Sequence, residues 1–431
     1  MVNCKKGRKV EIPISPQRPV SIKTILDPIL AKLSHMGKHQ RTFLIELFSL
    51  LLARQGKATF ENMARFSPLT ELTFPRHFAS FFDRSVGPVS TFNKACVDFS
   101  KGVYIGLVDC SFIPKSGSET FGLDKFWSGC AAKALRGLEI SVLACVNANT
   151  KQCFALESTQ TSPGLSASAT AEEPEKPYNR VSFYLEQLSD CLPQLPAIRH
   201  WVGDGFYAKK EVFDLFIKHK RHFITRLRRD ADLYFLWNKP RLAGQRGAPK
   251  KYDGKAVFDD LSRWQKIGAH PQHPYISLYA QALYSKRFGR SLQVVLLLDT
   301  RTNKYVLLAS TDLTQSATEI AYYYHLRFQI EILFRDLTGP TFRQFTGLTQ
   351  CQARSADKLD YHFNASLSGV NVARLMVAGD DSLQGSLNAL VRRQTGERIW
   401  QVIDGQLSPE SRVTLNHIDP AQWQFWQRKA A

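Results

Sequence analysis

Three carboxylates, Asp109, Asp204 and Glu331, stand where a phosphoryl-transfer site could be assembled. Asp109 ends the apolar run 103–108, and Asp204 follows the strand-like run 198–202 and Gly203. In open α/β sheets the carboxyl ends of the strands are where ligands bind, because the loops there leave room. Glu331 falls in a helix expected over 316–337, on which Tyr324, Arg327 and Glu331 are spaced i, i+3, i+7 and share one face. Tyr323, Leu326, Ile330 and Leu333 form the apolar stripe beside them, suited to packing on a sheet. Like charges within ~4–6 Å disfavour ionisation, so three collected carboxylates require a cation. Hard oxygen ligands select Mg2+ or Mn2+. Two such ions ~3.5–4 Å apart can clamp the attacking and leaving oxygens of an in-line displacement. Arg327 would contact a phosphate or orient the glutamate. Position alone does not single out this trio. The chain has 38 acidic residues, Asp299 ends another apolar run, 292–298, and most strand-end aspartates are turn residues.

Stepping outward, 431 residues suffice for two or three domains without covalent staples. Hydrophobic residues are 44% and charged residues 22%, which excludes a disordered or fibrous chain. Basic residues outnumber acidic ones by 57 to 38, a balance of +19 that suits a polyanionic partner. The excess is concentrated: fifteen basic against seven acidic residues in 1–100, and fourteen against five in 209–255. Eight cysteines show no CxxC and no zinc spacing with histidine, and read as reduced thiols of a cytoplasmic protein. The apolar run 43–53 is too short to span a membrane, and no secretory signal is expected.

Residues 1–100 read as an N-terminal helical DNA-binding domain. Helical spacing recurs at Ile25, Ile29, Leu30 and Leu33 and at Phe43, Leu44, Leu47 and Leu51. Thr59 looks like an N-cap. A third helix is expected over 74–84, with Arg76 and His77 near its start as candidate base readers. A plain helical bundle is the competing reading. From residue 101 the period changes, and 101–229 runs strand, strand, strand, helix, strand, helix, strand. That order is the one of a ribonuclease-H-like mixed sheet, an α/β fold. Residues 230–310 read as a β-rich insertion, 311–378 as the returning core with the Glu331 helix, and 379–431 as a C-terminal region suited to dimerisation.

The words around the carboxylates add a resemblance. Val108-Asp109-Cys110-Ser111-Phe112-Ile113-Pro114-Lys115-Ser116-Gly117, with Gly122-Leu123-Asp124-Lys125-Phe126-Trp127, resembles the first-aspartate block of bacterial insertion-sequence transposases of the DDE type. Gly203-Asp204-Gly205-Phe206-Tyr207-Ala208-Lys209 is similar to the second block, and Arg327-Phe328-Gln329-Ile330-Glu331-Ile332-Leu333-Phe334-Arg335-Asp336 to the third. The blocks stand in the family's order over roughly 56–375. The nearest resemblance is to the "insertion sequence four" family, whose last block reads Tyr-x2-Arg-x3-Glu-x6-Lys.

The resemblance implies a ribonuclease-H-like core in which Asp109, Asp204 and Glu331 are catalytic and hold two Mg2+ ions, Mn2+ being able to substitute. It implies cleavage of DNA at transposon ends followed by strand transfer into other DNA. The expected partners are double-stranded DNA, as terminal inverted repeats and target, and a second copy of the chain in the synaptic complex, near the bacterial nucleoid and away from membranes. Tyr324, Arg327, Arg343, Lys115, Arg76 and His77 are the expected DNA or phosphate contacts. Trp237 and Trp264 are candidates for stacking on a flipped base. One departure stands out: position seven after Glu331 is Thr338 rather than lysine, followed by Gly339-Pro340, so that either Arg343 replaces the lysine as a phosphate contact or the site is impaired. The alternatives are a nuclease without strand transfer and a non-catalytic DNA-binding relative.

Overall fold

Among the described residues five helices precede the first strand: α1 (Ile22–Ala31), α2 (Lys38–Ala53), α3 (Phe60–Ala64), α4 (Thr73–Phe82) and α5 (Val89–Ala95). The computed structural model describes residues 20–406 except 35, 54–58, 83–88, 166–177, 239–246, 249 and 339–345. Thr59 does cap α3, its side chain accepting from the Asn62 amide at 3.2 Å. The helix expected over 74–84 is α4, whose Phe74, Phe78, Phe81 and Phe82 fall at helical spacing and are buried.

The strands follow: β1 (Tyr104–Pro114), β2 (Asp124–Ser128), β3 (Lys133–Asn147) and β4 (Cys153–Gln160); after α6 (Arg180–Cys191), β5 (His200–Gly203); after α7 (Lys210–Lys218), β6 (His222–Leu227). β1 pairs antiparallel with β3, β3 antiparallel with β4, and β1–β5–β6 run parallel. The order β4-β3-β1-β5-β6 with these directions is consistent with a ribonuclease-H-like sheet. β2 did not emerge as a strand from the sequence; it pairs along the first residues of the long β3, before β4 takes over.

Residues 230–310 contain β7 (Leu233–Leu236), β8 (Tyr252–Lys255), β9 (Gln265–His270), β10 (His273–Ser285), β11 (Arg290–Asp299) and β12 (Lys304–Ser310). β12 pairs antiparallel with β6, so these strands extend the same sheet, which reaches twelve strands among the described residues.

The last helices are α8 (Ala317–Leu326), α9 (Phe328–Thr338), α10 (Ala356–Ala378) and α11 (Leu387–Gln406). The single helix expected over 316–337 is therefore two, broken at Arg327. Side chains alternate across the sheet. Trp201 and Phe223 enter the core under α6 and α7, while Val202 and Ile224 enter the one under α8 and α9. A third core joins α1, α2, α4 and α5 to α10 and α11 through Val372, Met376 and Leu390. The N-terminal helices thus pack against the C-terminal ones. α10 also covers the free edge of β4. Asn364 exchanges hydrogen bonds with the Ser158 main chain (3.1 and 3.1 Å), and Asn371 with that of Ala155 (2.9 and 2.8 Å). Two asparagines two turns apart complete a strand edge that would otherwise be exposed.

Candidate functional site

The parallel ladder of β1 and β5 ends at the pair Val108↔Gly203, and the next residue on each strand is a candidate carboxylate, Asp109 or Asp204. Asp109 is thus not the end of its strand, since β1 runs on to Pro114 paired with β3. It is the point where β1 parts from β5, and the gap between them is the site. Gly203 is required there, because a Cβ would lie 2.8 Å from the Phe223 ring and 3.0 Å from Tyr207. Asp204 caps the short turn Gly205–Tyr207 by accepting from the Phe206 amide at 2.9 Å. Its carbonyl is pinned from β6 by the Thr225 hydroxyl at 2.6 Å. Asp109 accepts from the Cys110 amide at 2.8 Å.

From the opposite face the α8–α9 break brings Arg327 over both strand ends. Its guanidinium pairs with Glu331 at 2.6 Å and with Asp109 at 3.5 Å. Asp109, Asp204, Tyr324, Arg327 and Glu331 line one open cavity of about 590 Å³, with Arg226, Arg228 and Arg229 along its rim. These three arginines are exposed. They follow from the strand order, since β6 ends beside β5, but the sequence marked them only as part of a basic stretch.

One arginine among three carboxylates leaves negative charge in excess. Burial pushes the Asp109 carboxyl up to about 7, with Asp204 adding to the rise and Arg327 opposing it. Burial raises Asp204 as well. Burial disfavours the Arg327 cation, yet Glu331, Tyr324 and Asp109 outweigh it and hold the guanidinium charged. An all-oxygen donor set short of positive charge fits a hard divalent cation. The ligand oxygens of the three do not all lie within 4.8 Å of one another, so a cation shared by them would have to draw the carboxylates closer.

The other expected contacts are elsewhere. Lys115 donates to the Cys351 carbonyl and is not among the residues that line the cavity. Trp264 is core, 6% exposed and packed against Phe258. Trp237 is half-buried beneath the Lys250 ammonium, 4.1 Å from its ring centre, and does not line the cavity either. Arg76 is exposed on α4, whereas His77 stacks on Phe43 at 5.3 Å, so its ring is committed to packing. Asp299, the competing strand-end aspartate, is held by Arg301 at 2.9 Å and serves its own turn. Arg343 lies outside the described residues.

No curated protein matches the chain. Among solved structures, an endonuclease V of Ciona intestinalis in complex with a 23mer DNA containing an inosine matches at 12% identity. The match covers 59% of this chain and 88% of that one, with a TM-score of 0.25, too low to speak for a shared fold. The family described as DDE superfamily endonuclease matches residues 30–278, a stretch that includes Asp109 and Asp204 and ends before Glu331. That stretch is more than half of the sequence, and the chain belongs to the DDE superfamily endonuclease family.

Proposed function

We propose that the chain is a DNA transposase of the insertion-sequence DDE type. In this reading it cleaves the ends of its element and transfers them to other DNA. The observation that carries the reading is the convergence of Asp109, Asp204 and Glu331 on one cavity rimmed by Arg226, Arg228 and Arg229. A nuclease needs carboxylates facing a phosphate, and a phosphate needs cations to bring it there.

Endonucleases of this superfamily depend on divalent metal, and Asp109, Asp204 and Glu331 are the residues that would hold it. Bound there, Mg2+ or Mn2+ supplies the positive charge against which the attacking and leaving oxygens develop negative charge. The chain's own groups do the rest. The rim arginines draw the phosphate backbone into the cleft, where a planar guanidinium can bind two phosphate oxygens. Arg327 keeps Glu331 turned toward Asp109 and can exchange that ion pair for a phosphate oxygen. Phe206, beside Asp204, lines the cavity with its ring partly exposed and the Lys209 ammonium 5.0 Å over it, a cation placed near the incoming phosphate backbone. Water is the first nucleophile, and the freed 3′-hydroxyl is the second.

The family description names cleavage alone, and cleavage without joining is the second reading. A labelled DNA end, incubated with full-length protein, Mg2+ and a target plasmid, separates the two. Joined products are expected. Cleaved ends that never join would reduce the function to a nuclease.

A further inference from the structure

At the other end of the same parallel strands lies a cluster with different chemistry. His200 and His222 are the first residues of β5 and β6 and are partners in register. Their imidazoles therefore stand side by side on one face, centroids 5.2 Å apart and planes 24° from parallel. Asp312, just after β12, brings its carboxylate to both. Oδ2 lies 3.1 Å from His200 Nε2 and 3.7 Å from His222 Nε2. The other oxygen is occupied, accepting from the Thr314 amide at 3.0 Å and hydroxyl at 2.6 Å, so the carboxylate is held in place independently of the histidines.

We propose that His200, His222 and Asp312 form a Zn2+-class site, with two imidazole nitrogens and one carboxylate oxygen as ligands and water in the fourth position. The three ligand atoms lie within 4.8 Å of one another, and this is the one such group of histidine, cysteine or acidic residues among the described residues. Around a tetrahedral ion with bonds of ~2.0–2.1 Å, ligand atoms sit about 3.3 Å apart. The carboxylate oxygen already has nearly that spacing from both nitrogens. Mixed nitrogen and oxygen ligands favour a borderline ion, whereas the all-oxygen catalytic cleft favours a hard one.

A bare hydrogen-bonded cluster explains the arrangement less well. A hydrogen bond accounts for the 3.1 Å contact to His200 but not for the 3.7 Å approach of His222, which is too long for one. Side-chain exposure of 14% for His200 and Asp312 and 30% for His222 leaves an opening for the ion and its water. Four residue steps along β5 place the cluster about 13 Å from Asp204, too far to join the reaction. The ion would instead tie the starts of β5 and β6 to the turn that leads into α8. Those are the elements that present Asp204, the rim arginines and Arg327.

The test uses untagged full-length protein carrying Asp109→Asn and Asp204→Asn, so that the acidic cleft cannot account for binding. After chelator treatment and dialysis against Zn2+, one equivalent should remain bound, and Tm should rise on loading. His222→Gln and Asp312→Asn should each weaken binding at least tenfold and abolish the Tm rise. Asp312→Asn retains an oxygen for the Thr314 turn, so it guards against mere misfolding. Independently of any variant at the cluster, Co2+ in place of Zn2+ should give the intense visible bands of a four-coordinate ion. Retention well below one equivalent, equal affinity in both variants, or only the weak spectrum of six-coordinate Co2+ would overturn the site.

Discussion

Two shielded arginine–carboxylate clusters in this molecule respond to burial in opposite ways. Between α10 and α11, Arg393 meets Asp380 at 2.7 Å, with side chains 9% and 7% exposed. Burial there would push the carboxyl up, yet hydrogen bonds from Ser382 and the Arg393 charge outweigh it and hold Asp380 down to about 2. In the cleft, one Arg327 faces Asp109, Asp204 and Glu331, and Asp109 is pushed up to about 7. Desolvation acts in both places; at Asp380 hydrogen bonds from Ser382 and the Val20 amide join Arg393 against it, whereas at Asp109 the neighbouring carboxylates Asp204 and Glu331 add to it. A carboxylate that takes a guanidinium and several neutral donors at once is a structural joint, even with Glu397 also 3.7 Å from Arg393. In the cleft three carboxylates line one cavity with a single half-buried guanidinium among them.

The largest expected effect is on catalysis. Asp109→Asn, Asp204→Asn and Glu331→Gln should each lower the cleavage rate by about a thousandfold or more, ~4 kcal/mol at 1.4 per decade. The triple variant should be scarcely slower than any single one, because residues that act as a unit are not additive. Additive losses in single-turnover cleavage would break the idea of a shared cation.

Next comes stability. Arg393→Met strands a buried carboxylate and should cost about 3 kcal/mol in urea unfolding. Arg327→Met, measured at pH 6, should cost clearly less, since Asp109 can take up a proton instead. Equal costs would mean that the two clusters do not differ in kind.

Their pH dependence should also run in opposite directions. Asp380, with its folded pKa depressed, contributes stability that is present above pH ~4 and lost as pH falls towards 2. Asp109, with its folded pKa raised, imposes a penalty absent below pH ~4 that grows as pH rises through about 7. Metal-free protein should therefore lose stability as pH rises from about 4 to about 7 and level off above that. Asp109→Asn should flatten that slope and raise stability at pH 8 by on the order of 2 kcal/mol. A Tm series with and without the substitution reads this directly.

The smallest effect concerns the rim. Arg229→Ala should weaken DNA binding by about 1 kcal/mol and reduce the salt slope by about one ion, without regard to sequence. An unchanged slope would remove Arg229 from the phosphate path.

The site was more legible than its supports. Asp109, Asp204 and Glu331 sit in distinctive local words, with glycines beside Asp204 and an arginine one turn before Glu331, so the sequence nominates them, and the fold brings them to one cavity. The break at Arg327 has no such mark. No glycine or proline lies between 317 and 338, and the apolar stripe continues through the break. Arg327 itself keeps helical dihedrals (φ −51°, ψ −35°). The break is a single tighter turn in which its amide donates to the Tyr324 carbonyl and its carbonyl accepts from the Ile330 amide, a change no side chain announces. β2 escaped notice because it exists only as a partner of the overlong β3. Trp264 looked available for stacking because composition says nothing of burial. The asparagines of α10 that finish the β4 edge, like the packing of the N-terminal helices on α10, depend on contacts between opposite ends of the chain.

The most direct measurement is nicking of supercoiled plasmid across a Mn2+ titration, for wild type and Asp204→Asn, with filter binding of the same DNA run in parallel. The expected result is saturable Mn2+-dependent nicking by the wild type, its loss in Asp204→Asn, and equal binding by both. Nicking that persists in chelator, or that survives Asp204→Asn at the wild-type rate, would contradict a carboxylate-held cation as the agent of cleavage.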